Sequence, residues 1–237
     1  MGSEMCIRDR MKSVFKYAVK TYCIYNPMEG VSLPRKKTSD IRLLDKKEQL
    51  CLEEYVSKIH NSTTLGITLA MTTGIRIGEL CALQWKDIDL EKRILTVSKT
   101  VQRIQLHEAD RKTKLIITEP KSESSKRIIP IPEAVVAFLK EMRENDEDFV
   151  VSGTSRVIEP RTMQYRFAKI LKNVNLPSVH FHALRHMFAS NCIRLGFDIK
   201  ALSEILGHSS VEITLNRYVH SSFEQKTEYM NRITICV

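Results

Sequence analysis

Apart from a short piece at Phe149–Val151, the segments of this chain with strand-like composition fall in one stretch, between Trp85 and Ile131, and helical periodicity dominates on both sides of it. Trp85–Leu90, Arg93–Arg103, Leu115–Thr118 and Arg127–Ile131 are read as strands; the middle two are rich in the Ile, Val and Thr that suit a pleated surface. Ahead of them, Asp45 with Glu48 makes a capping pattern that opens a helix running to about Ile59. An apolar helix over Ser62–Thr72 follows, then a break at Thr73-Gly74 and a helix over Arg76–Leu83. Behind the strands come helical patterns over Glu133–Arg143, Arg161–Val174, Phe181–Leu195, Ile199–Leu206 and Val211–Tyr218, with a short extended piece at Phe149–Val151. Helices, then a small sheet, then helices predict an α+β domain, mostly helical.

The N-terminal end reads differently. Residues 1–10 show no periodicity and no start signal, and are set aside as non-native or disordered. Met11–Ile24 carries Val14, Phe15, Ala18, Val19 and Tyr22 at helical spacing. Asn26-Pro27 stops that helix, and Val31–Pro34 with the basic run Arg35-Lys36-Lys37 reads as a linker. One helix and a linker do not make a domain. The expectation is that residues 11–33 are the last piece of a truncated N-terminal domain and that 34–237 form the second.

Lys and Arg number 37 against 28 Asp and Glu, with a pI of about 9.3, so polyanions are the first partners to consider. Cys6, Cys23, Cys51, Cys81, Cys192 and Cys236 form no Cys-x-x-Cys pair, which argues against a disulfide framework or zinc ribbon and for a reducing compartment. No apolar run is long enough to span a bilayer and no signal-peptide core follows the first basic residues, so a soluble, cytoplasmic protein is expected.

The polar residues near the C-terminus are spaced for chemistry. His182, Arg185 and His186 fall on one helix face at i, i+3 and i+4. Gly207 follows a helix and aims His208, and Asn216-Arg217-Tyr218 comes ten residues beyond His208. Upstream, Thr73-Gly74-Ile75-Arg76-Ile77-Gly78-Glu79-Leu80 starts a helix, and Pro120-Lys121 through Arg127 reads as a turn between strands. A phosphodiester under attack gathers charge on its non-bridging oxygens. Two guanidiniums, Arg76 and Arg185, can clamp those oxygens and stay charged at any relevant pH. A histidine can take the nucleophile's proton, and a lysine on a turn can protonate the leaving oxygen. A tyrosine nucleophile keeps the bond energy as a phosphotyrosine ester, so resealing needs no ATP and no metal or other cofactor.

These segments, with Leu206-Gly207-His208-Ser209-Ser210, resemble the catalytic domain of the tyrosine recombinase (phage integrase) family from about Asp40 to Met230, and in detail the integrases of phages and conjugative transposons of Gram-positive bacteria. The resemblance implies that family's catalytic fold, with a small antiparallel sheet, after the end of a core-binding domain. It implies that Arg76 and Arg185 hold the scissile phosphate, Lys121 is the general acid, His182 accepts the tyrosine proton, and His208 hydrogen-bonds the phosphate. It further implies that Tyr218 forms the 3′-phosphotyrosyl link and that Glu79 braces the site from behind; His186 is read separately as either a core histidine or a second brace, the latter being preferred. The family's usual acidic or polar residue after the first histidine is Ala183 here. The implied partners are double-stranded DNA with specific sites, three further copies of the chain in a homotetramer with C-terminal exchange around Phe223–Ile233, and accessory DNA-bending proteins.

Plainer readings stand beside these. A tyrosine near a helix end most often packs, Arg76 can simply pair with Glu79, and Lys121 sits in a basic turn of the kind that is usually only solvated. His182-x-x-x-His186 has zinc-ligand spacing, but Ala183 stands where a metalloprotease has its glutamate. Arg35, Lys36, Lys37, Arg111, Lys112, Lys114, Lys126 and Arg127 are either solvated surface or contacts to DNA backbone phosphates. The function expected is site-specific integration or excision of a mobile element. The alternatives are a catalytically silent DNA-binding relic and a type IB topoisomerase-like enzyme.

Overall fold

The computed structural model describes residues 3–29, 42–105, 113–119, 125–218, 227 and 231. The chain divides into two compact units, Met1–Asp40 and Ile41–Val237. Among the described residues, the first contains one helix, α1 (Ser3–Tyr22). It begins earlier than the apolar spacing predicts, so Ser3–Arg10, set aside on sequence for want of periodicity, are helical. Phe15, Ala18 and Val19 are half-buried while Val14 and Tyr22 are exposed, so the apolar stripe is only partly covered. Arg35, Lys36 and Lys37 lie outside the described residues.

The second unit follows the predicted order: α2 (Lys46–Lys58), α3 (Ser62–Thr73), α4 (Ile77–Ala82), strands β1 (Ile88–Asp89), β2 (Ile94–Val97), β3 (Thr100–Gln105), β4 (Thr113–Thr118) and β5 (Arg127–Pro130), then α5 (Glu133–Met142), α6 (Pro160–Asn173), α7 (His182–Arg194), α8 (Ile199–Leu206) and α9 (Val211–Tyr218). It is an α+β unit, mostly helical, with two small antiparallel sheets among the described residues. The expected box at Asp45 is present: its side chain accepts from the Glu48 N–H while Glu48 accepts from the Asp45 N–H. Asn61 caps α3 by accepting from the Thr63 and Thr64 N–H groups. α3 is apolar on nearly every side. Leu65, Ile67, Leu69 and Ala70 are all fully buried, and α2, α5, α6 and α7 pack around it.

The strand region is where the expectation needs correcting. Trp85–Asp87 is a turn of 3-10 helix, and only Ile88–Asp89 pair as a strand. The single strand expected over Arg93–Arg103 is two strands in different sheets. β2 lies between β1 and β5, with Leu95 opposite Ile129, whereas β3 pairs only with β4, with Thr100 opposite Thr118. β4 and β5, consecutive among the described strands, therefore belong to different sheets. α4 seats against β3 at Gly78, where a Cβ would come within 2.7 Å of Thr100 Oγ1 and 2.9 Å of the Val101 carbonyl oxygen.

The turn from α3 to α4 is set by Gly74, which ends α3 at φ 64° and ψ 19°. A Cβ there would lie 2.5 Å from the Phe188 ring and 2.9 Å from Leu206 Cδ2. Gly74→Ala therefore combines left-handed strain with a clash against α7 and α8. The expected loss is about 3 kcal/mol, with the melting temperature about 10 °C lower in a thermal melt. A shift of a degree or less would contradict this packing.

Candidate active site

Three helix ends meet at the end of α8, and arginines tie them together. α8 stops at Gly207 in the left-handed conformation, φ 64° and ψ 49°. The last carbonyls of a helix have no partner within it and carry the negative end of its dipole. Here three successive ones accept from guanidiniums: Ile205 from Arg127 Nε at 2.6 Å, Leu206 from Arg185 Nη2 at 2.7 Å, and Gly207 from Arg76 Nη2 at 2.7 Å. Arg185 comes from α7 and is buried, and its Nη1 also donates to the Gly74 carbonyl at 2.8 Å. The glycine that ends α3 and the helix end before His208 are thus held by one side chain.

Arg76 stands just before α4 with its side chain 35% exposed. Its Nη1 donates to Glu79 Oε1 at 2.7 Å, and its backbone N–H donates to Glu79 Oε2 at 3.0 Å. The expected Arg76–Glu79 pairing is therefore present, alongside the bond to Gly207. Glu79 is buried and also accepts from Arg127, to Oε1 at 3.1 Å and to Oε2 at 2.9 Å. Burial pushes its carboxyl up, but the hydrogen bonds and charge of Arg127, with those of Arg76, outweigh it and hold the group below the usual carboxylate range. Cys81, two residues on in α4, is no rival nucleophile: burial pushes its thiol up to about 12.

His182 opens α7 at the surface and meets the buried His186 edge-on, with ring centroids 4.7 Å apart. His208 follows Gly207, and its Nδ1 lies 2.7 Å from Oγ1 of the fully buried Thr214 on α9. The contact holds the His208 ring in place, with the hydroxyl donating to Nδ1 in one tautomer and accepting from it in the other. α9 packs on α8 and α7 and ends at Tyr218, whose side chain lies outside the described residues. Thr214→Val keeps the shape and removes the hydroxyl. The expected result is a loss of about fivefold in whatever reaction His208 serves, the worth of about 1 kcal/mol, with little change in melting temperature. An unchanged rate would show that Thr214 does not orient His208.

The remaining candidates divide. Lys121, Arg111 and Lys112 lie outside the described residues. Lys114 is an exposed residue of β4, and Lys126 makes an exposed 2.8 Å ion pair with Glu119. Arg127, expected as a solvated contact to the DNA backbone, is instead buried, with its side chain 6% exposed and its guanidinium turned inward. The sequence held a signal for this. Strand side chains alternate between faces, and Arg127 shares parity with the buried Ile129 and Ile131, while Ile128 is exposed. Thr214 was not singled out at all, since nothing marks one threonine of a helix as the partner of a histidine in the preceding turn. Among the described residues, no group of His, Cys, Asp and Glu is arranged to hold a metal ion, and no helix is long and apolar enough to cross a membrane.

Residues 42–225 match the model of the phage integrase family. The chain is 32% identical to a tyrosine recombinase XerC-like protein of Caldanaerobacter subterraneus subsp. tengcongensis, over 92% of this chain and 62% of that protein. It is 28% identical to the transposase from transposon Tn916 of Enterococcus faecalis, over 80% of this chain and 50% of that protein. It therefore spans less than two thirds of the length of these two relatives. Among solved structures it superposes on the Tn1549 transposon integrase in complex with a circular intermediate DNA, with a TM-score of 0.74 and 26% identity over 97% of this chain and 79% of that one. With its fold, and with the arginine cluster carried on the matched segments, the chain belongs to the phage integrase family.

Proposed function

We propose that this chain is a site-specific DNA recombinase that cleaves and rejoins strands through a 3′-phosphotyrosyl intermediate, for integration or excision of a mobile element. The observation that carries this reading is the convergence of Arg76 and Arg185 on the end of α8, which leads directly into His208 and then the helix ending in Tyr218. Fixed guanidiniums beside a histidine suit a phosphate whose charge grows in the transition state, because they need not reorganise as it does. The names of the relatives support the same chemistry.

In the reaction proposed, the Tyr218 oxygen bonds to phosphorus as the bond to the 5′ oxygen breaks. The tyrosine proton passes to His182, and Lys121 gives a proton to the leaving oxygen. Arg76 and Arg185 hold the non-bridging oxygens, and His208 donates to one of them. Religation reverses each step, so no cofactor is consumed. The working form is a homotetramer on two double-stranded DNA sites, with the C-terminal segment exchanged between copies and DNA-bending proteins assisting. Lys114 and Lys126 contact backbone phosphates, as do Arg35, Lys36, Lys37, Arg111 and Lys112.

The test is covalent capture of the full chain on nicked duplexes randomised on both sides of the break. A protein–DNA band that survives detergent, with or without EDTA, is the result expected. Binding without a covalent band would favour a silent DNA-binding relic. Plasmid relaxation without strand exchange would favour a topoisomerase. A band lost in EDTA would replace the tyrosine reaction with metal chemistry.

A further inference from the structure

Four of the five N–H groups of Arg127 are engaged within the protein, and its side chain is 6% exposed, so it is turned away from any phosphate at the surface. Its Nε holds the Ile205 carbonyl, its Nη1 holds Glu79 and the Ser125 carbonyl, and its Nη2 holds Glu79 again. Glu79 accepts two hydrogen bonds on each carboxylate oxygen. Oε1 accepts from Arg76 and Arg127 side chains, and Oε2 accepts from the Arg76 backbone and Arg127. Arg76 differs from Arg127 in being 35% exposed against 6%. One guanidinium of the pair faces outward and the other is locked behind it.

We propose that Arg127 is a positioning residue: by occupying half of the Glu79 carboxylate and capping Ile205 at the end of α8, it keeps Arg76 directed outward and fixes the turn that carries His208. The physical reason is competition. A carboxylate attracts a guanidinium fork, and two parallel bonds to Arg76 are the alternative open to Glu79 once Arg127 is gone. Arg76 would then leave the Gly207 carbonyl and turn toward Glu79. The Ile205 carbonyl would lose its donor in the same change, loosening the last turn of α8. Arg127 sits on β5, α4 carries Glu79, and α8 carries Ile205, so one buried side chain joins three elements. This inference rests on the DNA-cleaving role proposed above.

The test compares wild type, Arg127→Gln, Arg127→Lys and the double variant Arg127→Gln/Glu79→Gln, all as the full chain on a nicked duplex captured by wild type. DNA affinity against salt and single-turnover adduct formation against pH are measured for each. Arg127→Gln is expected to form adduct slower by about 10²-fold, the scale of a misplaced site, with affinity and salt slope unchanged. The deficit narrows toward acid pH. Arg76 and Arg127 are the charged groups on Glu79, and without Arg127 burial raises its carboxyl, so protonation at low pH releases Arg76. For the same reason, adding Glu79→Gln recovers part of the rate. Arg127→Lys, which keeps the charge without the fork, falls between and serves if Arg127→Gln does not fold. An Arg127→Gln rate equal to wild type would overturn the proposal. So would a loss confined to affinity, with the salt slope lower by about one, since that is a phosphate contact. Failure of wild type to form any adduct overturns the activity itself and this proposal with it, and is distinguished by appearing before any variant is compared.

Discussion

Tyr218→Phe is expected to form no covalent adduct with nicked DNA while binding it as wild type does. The substitution removes one oxygen and leaves the ring, so the helix Val211–Tyr218 and its packing on α7 and α8 are retained. The expected fall in adduct formation is on the order of 10⁴-fold or more, the scale seen when a covalent nucleophile is removed while its surroundings remain. Affinity, measured by gel shift at fixed salt, is expected to change little, because the binding proposed rests on many phosphate contacts and not on one phenol. The separation of the two quantities is the informative part. A variant that lost both would show Tyr218 to be needed for the fold of this end of the chain. Adduct formation at the wild-type rate would remove Tyr218 as the nucleophile.

Arg185→Gln is expected to fail in two ways at once. The buried guanidinium joins the Gly74 carbonyl to the Leu206 carbonyl, and a neutral, shorter amide does not reach both. Each buried carbonyl left without a donor costs roughly 1–3 kcal/mol, so a melting temperature lower by about 5–15 °C is expected. Cleavage measured below the melting range of both proteins falls by about 10²–10³-fold, the usual result of removing one fixed donor from a developing oxyanion. Arg185→Lys separates the two roles. Its ammonium keeps the charge but presents no planar fork, so its rate and stability both lie between those of wild type and Arg185→Gln. If Arg185→Lys matched wild type in both, the two-carbonyl bridge would not be what holds the charge in place.

The helices were legible in the sequence because their signals are local. Asp45 with Glu48, the apolar run of α3, Gly74 and Gly207 each mark an end or a face with a known physical cause. The candidate residues were legible for a related reason: Arg76 and Glu79 fall in one turn, and His182, Arg185 and His186 on one face, so spacing alone brings them close. What was not legible depends on partners distant along the chain. The parity of Leu95, Val97 and Val101, all buried, continues across the gap between β2 and β3, so composition does not reveal that the two strands pair in different sheets. Arg127 was misread for the same reason. Beside Lys126 it looks like part of a solvated basic turn, and only the carboxylate of Glu79 and the end of α8 make its burial possible. α1 started earlier than expected because the apolar spacing used to find it begins only at Val14.

In the reaction proposed, the DNA strand is carried on the tyrosine that ends α9. Mass spectrometry of the adduct after nuclease and protease digestion tests it most directly. The expected product is a nucleotide joined through its 3′ phosphate to Tyr218, with no other peptide modified. A nucleotide on another residue, or cleaved DNA with no peptide attached, would contradict it.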